Sequence, residues 1–284
     1  MMKYILILIW IFPISLYGQI FLNDSITESS NVDLLINLTK NNKESVNTIL
    51  NNYIENQSLL LCKSVEIRCN VSIDDLPDNI FLLNWITSLK IVGYEKKNDS
   101  LNEVFDERFN AFYLLESLTL DYLSISSFSE KLNFVHLKEF RIISNNLSIF
   151  PESILGDSLE ILVIQDNPIK YIPPSIKLAI NLKKISFFNS PIEVLPPEFY
   201  ELREIRCLNL EATNITKISD SIMTFTNLKY LNLLTAMFID DIPCCLCDLP
   251  NLNHVSILYL GKEPLCFDNN AKWSKTGLEY RKVK

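Results

Sequence analysis

Glycine is scarce in this sequence, with 5 in 284 residues. Glycine-rich loops that cradle phosphates are few from the outset. Histidine is scarcer still: His136 and His254 are the only two. Little imidazole is on offer for general-base or metal-binding work. Positive charge is in deficit, since 26 Lys and Arg face 34 Asp and Glu for a net charge of −8. An acidic surface repels phosphate backbones, which argues against nucleic acid as a partner. No G-x-S-x-G, H-E-x-x-H or Walker-type stretch occurs. Carboxylates are plentiful, but nothing in their spacing pairs them. Beyond the N-terminal segment, no apolar run is long enough to cross a bilayer, which takes ~20 residues.

Apolar residues are abundant, at 48% of the chain, and they are periodic. In Leu159–Asn181 the residues Leu159, Leu162 and Ile164 have the spacing L-x-x-L-x-L. Asn167, Ile169 and the step Ile172-Pro173 follow, and the pattern restarts at Leu182. The first apolar position of successive units falls at Cys62, Ile86, Leu115, Leu137, Leu159, Leu182, Ile205, Leu228 and Leu252. Position four is then Val65, Leu89, Leu118, Phe140, Leu162, Ile185, Leu208, Leu231 and Val255. Position six is Ile67, Ile91, Leu120, Ile142, Ile164, Phe187, Leu210, Leu233 and Ile257. All are apolar. Positions four and six alternate with their neighbours, so each unit opens with a short strand whose two apolar side chains point inward.

Over most of its length the chain resembles the leucine-rich repeat family, with about nine units, mostly of 22–24 residues. The resemblance implies an α/β solenoid, a horseshoe with a parallel sheet on its concave face. The Ile/Leu-Pro step ends strand pairing, because proline lacks the donor. It recurs at Leu76-Pro77, Phe150-Pro151, Ile172-Pro173, Leu195-Pro196 and Ile242-Pro243. Ile80, Ile154, Ile176, Phe199 and Leu246 follow and close a convex wall of helical or 3₁₀ turns. In the family an Asn bonds to backbone across neighbouring turns. Asn70, Asn145 and Asn167 fit that position; Tyr94, Leu123, Ser190, Thr213, Ala236 and Leu260 do not, and Ser190 and Thr213 replace it only in part. The long unit from Ile86 carries extra polar residues around Glu95–Asn102, expected to bulge as a loop.

Four parts follow: 1–18, a signal peptide; 19–61, a helical N-terminal cap; 62–260, the repeat domain; and 261–284, a C-terminal cap or tail. In the first, Lys3 precedes the apolar Tyr4–Phe12, Pro13 breaks the run, and Ser15 and Gly18 allow cleavage before Gln19. That places the protein outside the cytoplasm, secreted or at the cell surface. In the second, Val32, Leu34, Leu35 and Leu38, then Val46, Ile49, Leu50, Tyr53 and Ile54, have helical spacing. In the last, Leu265 and Trp273 can cover the final unit, and a solvated basic tail is the expectation for the remainder.

Cys62 and Cys69 occupy positions one and eight of one strand, too far apart for a disulfide. Cys244, Cys245, Cys247 and Cys266 cluster, and one bond from Cys266 to any of the other three would staple the C-terminal end. Cys207 and His254 share position three but lie two strands apart, too far for a nucleophile and its base.

The remaining surface is the concave sheet, at positions three, five, seven and eight. Its first half is polar or charged, including Glu66, Arg68, Lys90, Asp121, Glu139 and Arg141. Its second half is more apolar: Ile143, Ile161, Val163, Phe188, Tyr230, Leu234, Leu258 and Tyr259. Large apolar residues grouped on an open face point to binding of a protein or peptide. The sequence thus reads as a non-catalytic binding protein without cofactor or metal. The alternative is a structural envelope protein without a specific ligand, and an enzyme with an unrecognised site ranks third.

Overall fold

The computed structural model describes residues 20–22, 33–56, 59, 62–93, 102–234, 242–257, 273–276 and 279–282. The signal segment and the Glu95–Leu101 part of the expected loop lie outside these residues.

Strands follow the repeat. In chain order they are β1 (Ile20–Leu22), β2 (Leu34–Leu38), β3 (Ser64–Cys69), β4 (Ser88–Gly93), β5 (Glu103–Phe105), β6 (Ser117–Asp121), β7 (Ile125–Phe128) and β8 (Glu139–Ile143). Then come β9 (Ile161–Gln165), β10 (Lys184–Ser186), β11 (Cys207–Asn209), β12 (Tyr230–Leu233), β13 (His254–Ile257), β14 (Trp273–Thr276) and β15 (Glu279–Lys282). All except β5 and β7 form one sheet, in the order β1-β2-β3-β4-β6-β8-β9-β10-β11-β12-β13-β15-β14. From β1 to β13 its pairings are parallel. This is the leucine-rich repeat solenoid.

Position four pairs with position four along the whole array, as in Leu118↔Phe140, Ile185↔Leu208 and Leu231↔Val255. Every position-four and position-six residue assigned from the sequence is buried. A one-residue slip would turn that entire set to solvent, so the pattern fixes the register. The outer wall is made of 3₁₀ turns, among them Asp78–Leu82, Pro174–Leu178, Pro197–Glu201 and Cys244–Asp248. Pro77, Pro173, Pro196 and Pro243 immediately precede these turns. The closing residues Ile80, Ile154, Ile176, Phe199 and Leu246 are all buried.

The asparagine ladder is present at Asn145 and Asn167 but not at Asn70, which is exposed and bonds through its backbone N–H to Leu38 O. Asn145 Oδ1 accepts from the N–H groups of Leu123 (3.0 Å) and Ile125 (3.1 Å). Its Nδ2 donates to the carbonyls of Leu120 and Ile143. Asn167 accepts from Leu147 N–H and donates to Ile142 and Gln165. Further along, Ser190 reaches Ile164 O and Asn167 N–H, and Thr213 reaches only Leu210 O at 2.7 Å. The ladder thins as the side chain loses donors and acceptors.

A second ladder is invisible in the apolar pattern. Position eight holds Tyr122, Ser144, Asp166, Asn189 and Ala212, all left-handed with φ between 51° and 56°. Each donates its N–H to the position-seven carbonyl of the next unit: Ile143, Gln165, Phe188, Glu211 and Leu234, respectively. These bonds extend the sheet by one rung while the chain turns away. Asn and Asp tolerate this backbone locally; Tyr122 and Ala212 have no such help.

Two expectations are corrected. Leu34–Leu38, read as helical, is a strand that pairs Leu34↔Val65 through Leu38↔Cys69. Periodicity cannot separate helix from strand in so short an apolar run, and the open edge of β3 supplies the partner. Helical spacing does hold for α1 (Lys43–Glu55), which buries Val46 and Leu50. At the other end the tail is not simply solvated. β15 pairs antiparallel to β13, as in Val255↔Tyr280, and β14 pairs with β15. The last parallel strand is thereby covered rather than left as a template for aggregation.

Candidate functional site

The register arranges the concave side chains in rows that run across the strands. Row three reads Ser64, Ser88, Ser117, Glu139, Ile161, Lys184, Cys207, Tyr230 and His254. Row five reads Glu66, Lys90, Thr119, Arg141, Val163, Ser186, Asn209, Asn232 and Ser256. Row seven begins Arg68, Val92, Asp121, Ile143 and Gln165. It continues through Phe188, Glu211 and Leu234, whose carbonyls take the position-eight N–H groups.

In the C-terminal half, Tyr230 is the most open of the described candidates, 52% exposed between Cys207 and His254. Its ring lies 6.2 Å from the His254 ring. His254 Nε2 in turn sits 2.9 Å from Ser256 Oγ. Ile143, Ile161, Phe188 and Leu234 are half-buried. Glu211, between Phe188 and Leu234 in row seven, accepts from Asn232 Nδ2 at 2.8 Å. Val163 is corrected: it is 1% exposed and offers no surface. Row five lies between rows three and seven, and its side chains are covered unevenly: Lys90, Thr119, Arg141, Asn209 and Asn232 keep partial exposure. Glu66, Ser186 and Ser256 in the same row are buried too. Leu258 and Tyr259 lie outside the described residues.

The N-terminal half is a set of charges. Glu66, 3% exposed, accepts from Arg68 Nε at 2.7 Å and faces Lys90 Nζ at 3.6 Å. Glu139 is bonded to Arg141 Nε. Asp121, half-buried between Val92 and Ile143, has an Oδ1 with no hydrogen-bond partner. Burial raises its pKa above the ordinary aspartate value. Lys90 partly offsets that, Glu66 adds to it, and Arg141 offsets it again.

Burial also pushes the Cys207 thiol up, despite Lys184, Lys229 and Arg206 nearby, and takes Cys62 up to about 12. Neither is an activated nucleophile, which would need a depressed value. Tyr230 separates Cys207 from His254. Cys62, Cys207, Cys244 and Cys245 are free thiols, so Cys244 and Cys245 are not the staple. Cys247 is not among the free thiols, and Cys266 lies outside the described residues. Among the described residues, no His, Cys, Asp or Glu group is arranged to hold a metal ion. No described helix is long and apolar enough to cross a membrane.

A groove of about 650 Å³ follows the position-eight edge beside this face. Tyr122, Ser144, Asp166 and Asn189 line it, with Pro168 and Pro191. Sequence reasoning missed it, because its walls depend on the left-handed turns.

No family model matches the sequence. A mouse protein, leucine-rich repeat serine/threonine-protein kinase 1, is 37% identical over 70 residues, which is 24% of this chain and 3% of the kinase. Among solved structures, an LRR protein of Leptospira interrogans superposes with a TM-score of 0.58 at 18% identity. The match covers 68% of this chain and 53% of that one. The leucine-rich repeat domain of the type III effector XopL gives 0.52 at 20% identity, over 72% of this chain and 78% of that domain. The chain thus spans about half the length of the Leptospira protein and a small fraction of the kinase.

Proposed function

From a chain with the leucine-rich repeat fold, we propose an exported, non-catalytic binding protein whose concave sheet holds a protein or peptide. The observation that carries this reading is the open aromatic on the concave face, Tyr230, on the same side of the sheet as the half-buried Phe188 and Leu234. An exposed aromatic flanked by half-buried apolar residues resembles the centre of a binding patch, where a few anchors carry most of the energy. A strand sheet held by two backbone ladders is also a rigid platform, so little entropy is lost when a partner docks. The net charge of −8 disfavours nucleic acid and favours a partner with basic groups.

Export rests on Met1–Gly18, and the mature chain would begin at Gln19. A bond between Cys247 and Cys266 would then form outside the cytoplasm and tie the tail to the last 3₁₀ turn. The test is affinity capture from the native cell surface with the mature protein, read by mass spectrometry. A protein captured by the parent chain and lost from a Phe188→Ala/Tyr230→Ala variant supports the reading. Capture unaffected by the variant removes the concave face from it, and no capture favours a purely structural role.

A further inference from the structure

The groove of about 650 Å³ differs in chemistry from the concave face beside it. Tyr122, Ser144 and Asp166 line it directly after β6, β8 and β9, and Asn189 continues the row. Asn146 and Pro168 line it from position ten. The described lining holds hydroxyls, amides, prolines and one carboxylate, and no Lys, Arg or His. Its backbone is already engaged, since Tyr122, Ser144, Asp166 and Asn189 each donate their N–H to the next unit. A peptide therefore finds no strand edge to extend here, and recognition falls to the side chains. Asn189 Nδ2 donates to Asp166 Oδ1 at 2.6 Å. That bond orients both side chains and leaves Asp166 Oδ2 and Asn189 Oδ1 as acceptors on adjacent units. Tyr122, at the other end, has a left-handed φ of 56°, an outlier for a bulky side chain. Burial does not offset that strain, because the residue is 46% exposed. Strain held without a packing gain points to function.

We propose that this groove binds a neutral oligosaccharide, with one sugar ring on Tyr122 and two neighbouring hydroxyls of another on Asp166 and Asn189. Adjacent hydroxyls on a sugar ring donate side by side, as a pair of adjacent acceptors requires. A protein loop offers few such donor pairs. The C–H face of a sugar ring packs on an aromatic face as an apolar surface. Ser144 and Asn146 add a hydroxyl and an amide that both donate and accept. Tyr122 and Asp166 stand two strands apart, ~10 Å at ~4.8 Å per strand. One monosaccharide cannot reach both, and a short chain of sugars can. An acidic glycan is disfavoured, because Asp166 and the net charge of −8 repel it. This site is additional to the concave face and does not depend on it.

The test is binding of the full chain to immobilised neutral hexasaccharides of glucose, mannose, xylose and N-acetylglucosamine, beside dextran sulfate. At least one hexasaccharide is expected to bind, and its monosaccharide tenfold more weakly or worse. Tyr122→Asn is expected to weaken that binding tenfold or more. Asparagine tolerates left-handed backbone, so this variant removes the ring and eases the turn rather than unfolding it. Asp166→Ala is expected to lose binding to the same extent. Tyr230→Ala, at position three of its strand, is expected to leave it unchanged. The fully O-methylated hexasaccharide has no hydroxyl left to donate and is expected not to bind. That comparison needs no protein variant, so the answer stands even if a variant folds poorly. The inference is overturned if no neutral hexasaccharide binds or if dextran sulfate alone binds. It is also overturned if the methylated sugar binds the parent, or the natural one binds Tyr122→Asn, at full strength. Loss of binding on Tyr230→Ala would place the sugar on the concave face and overturn the groove as well.

Discussion

A Cβ placed on Gly93 would lie 2.0 Å from the carbonyl oxygen of Tyr122. Gly93 ends β4, and Tyr122 is the left-handed residue directly after β6, the next strand of the sheet. Backbone therefore occupies the space a side chain would need, and no rotamer change can yield it. Gly93→Ala is expected to destabilise by about 1–3 kcal/mol, the usual cost of overpacking. Chemical denaturation of the purified variant checks this; an unchanged midpoint would mean the two turns are not in contact.

The asparagine ladder makes a graded prediction. Asn145→Ala strands the N–H groups of Leu123 and Ile125 in the interior, at about 1–3 kcal/mol for each group left unsatisfied. Thr213→Ala removes a single bond to Leu210 O and is expected to cost about 1 kcal/mol. Equal losses in thermal unfolding would show that the ladder is not what these side chains contribute.

Asp121 couples stability to pH. Its folded-state pKa is raised, chiefly by burial, with Lys90, Glu66 and Arg141 as the charged groups facing it. A raised carboxylate pKa means that ionisation disfavours the fold. Stability therefore falls as pH rises from the unfolded-state value through the folded-state one. Asp121→Asn cannot ionise, so it is expected to have the higher Tm at neutral pH. That advantage should vanish in acid, where both side chains are neutral. Melting curves of the pair across pH decide it, and a variant less stable at neutral pH contradicts the assignment.

The staple has a direct chemical test. Peptide mapping of exported protein is expected to find Cys247 linked to Cys266, with Cys244 and Cys245 free. Reduction should then lower the Tm, since losing a native disulfide typically costs about 2–5 kcal/mol. Recovery of Cys266 as a free thiol would contradict the pairing.

The inward half of the fold was legible because burial imposes a strict code. Leu162 and Ile164, or Leu208 and Leu210, must be apolar, and their spacing shows it. The proline steps were legible for a similar reason, since Pro173 and Pro196 cannot continue a ladder. The concave half was less so. Position alone marked Val163 as surface, but it is 1% exposed, and alternation does not say which outward side chains their neighbours cover. The left-handed turns at Tyr122 and Ala212 use residues with no preference for that backbone, so nothing in the sequence announced them. β2 was hidden because Leu34–Leu38 is too short a run to show its period. The tail strands pair through backbone, to which composition is blind.

The most direct measurement is the affinity of the captured partner for Phe188→Ala/Tyr230→Ala, with Leu210→Ala as the structural control. Neither aromatic fills a position-four or position-six slot, whereas Leu210 is fully buried. Titration calorimetry is expected to show the aromatic variant losing about 2 kcal/mol or more of binding, with an unchanged circular dichroism spectrum. Leu210→Ala is expected to lose about 2–5 kcal/mol of stability instead. An aromatic variant that stays folded and binds at full strength would contradict the concave-face assignment.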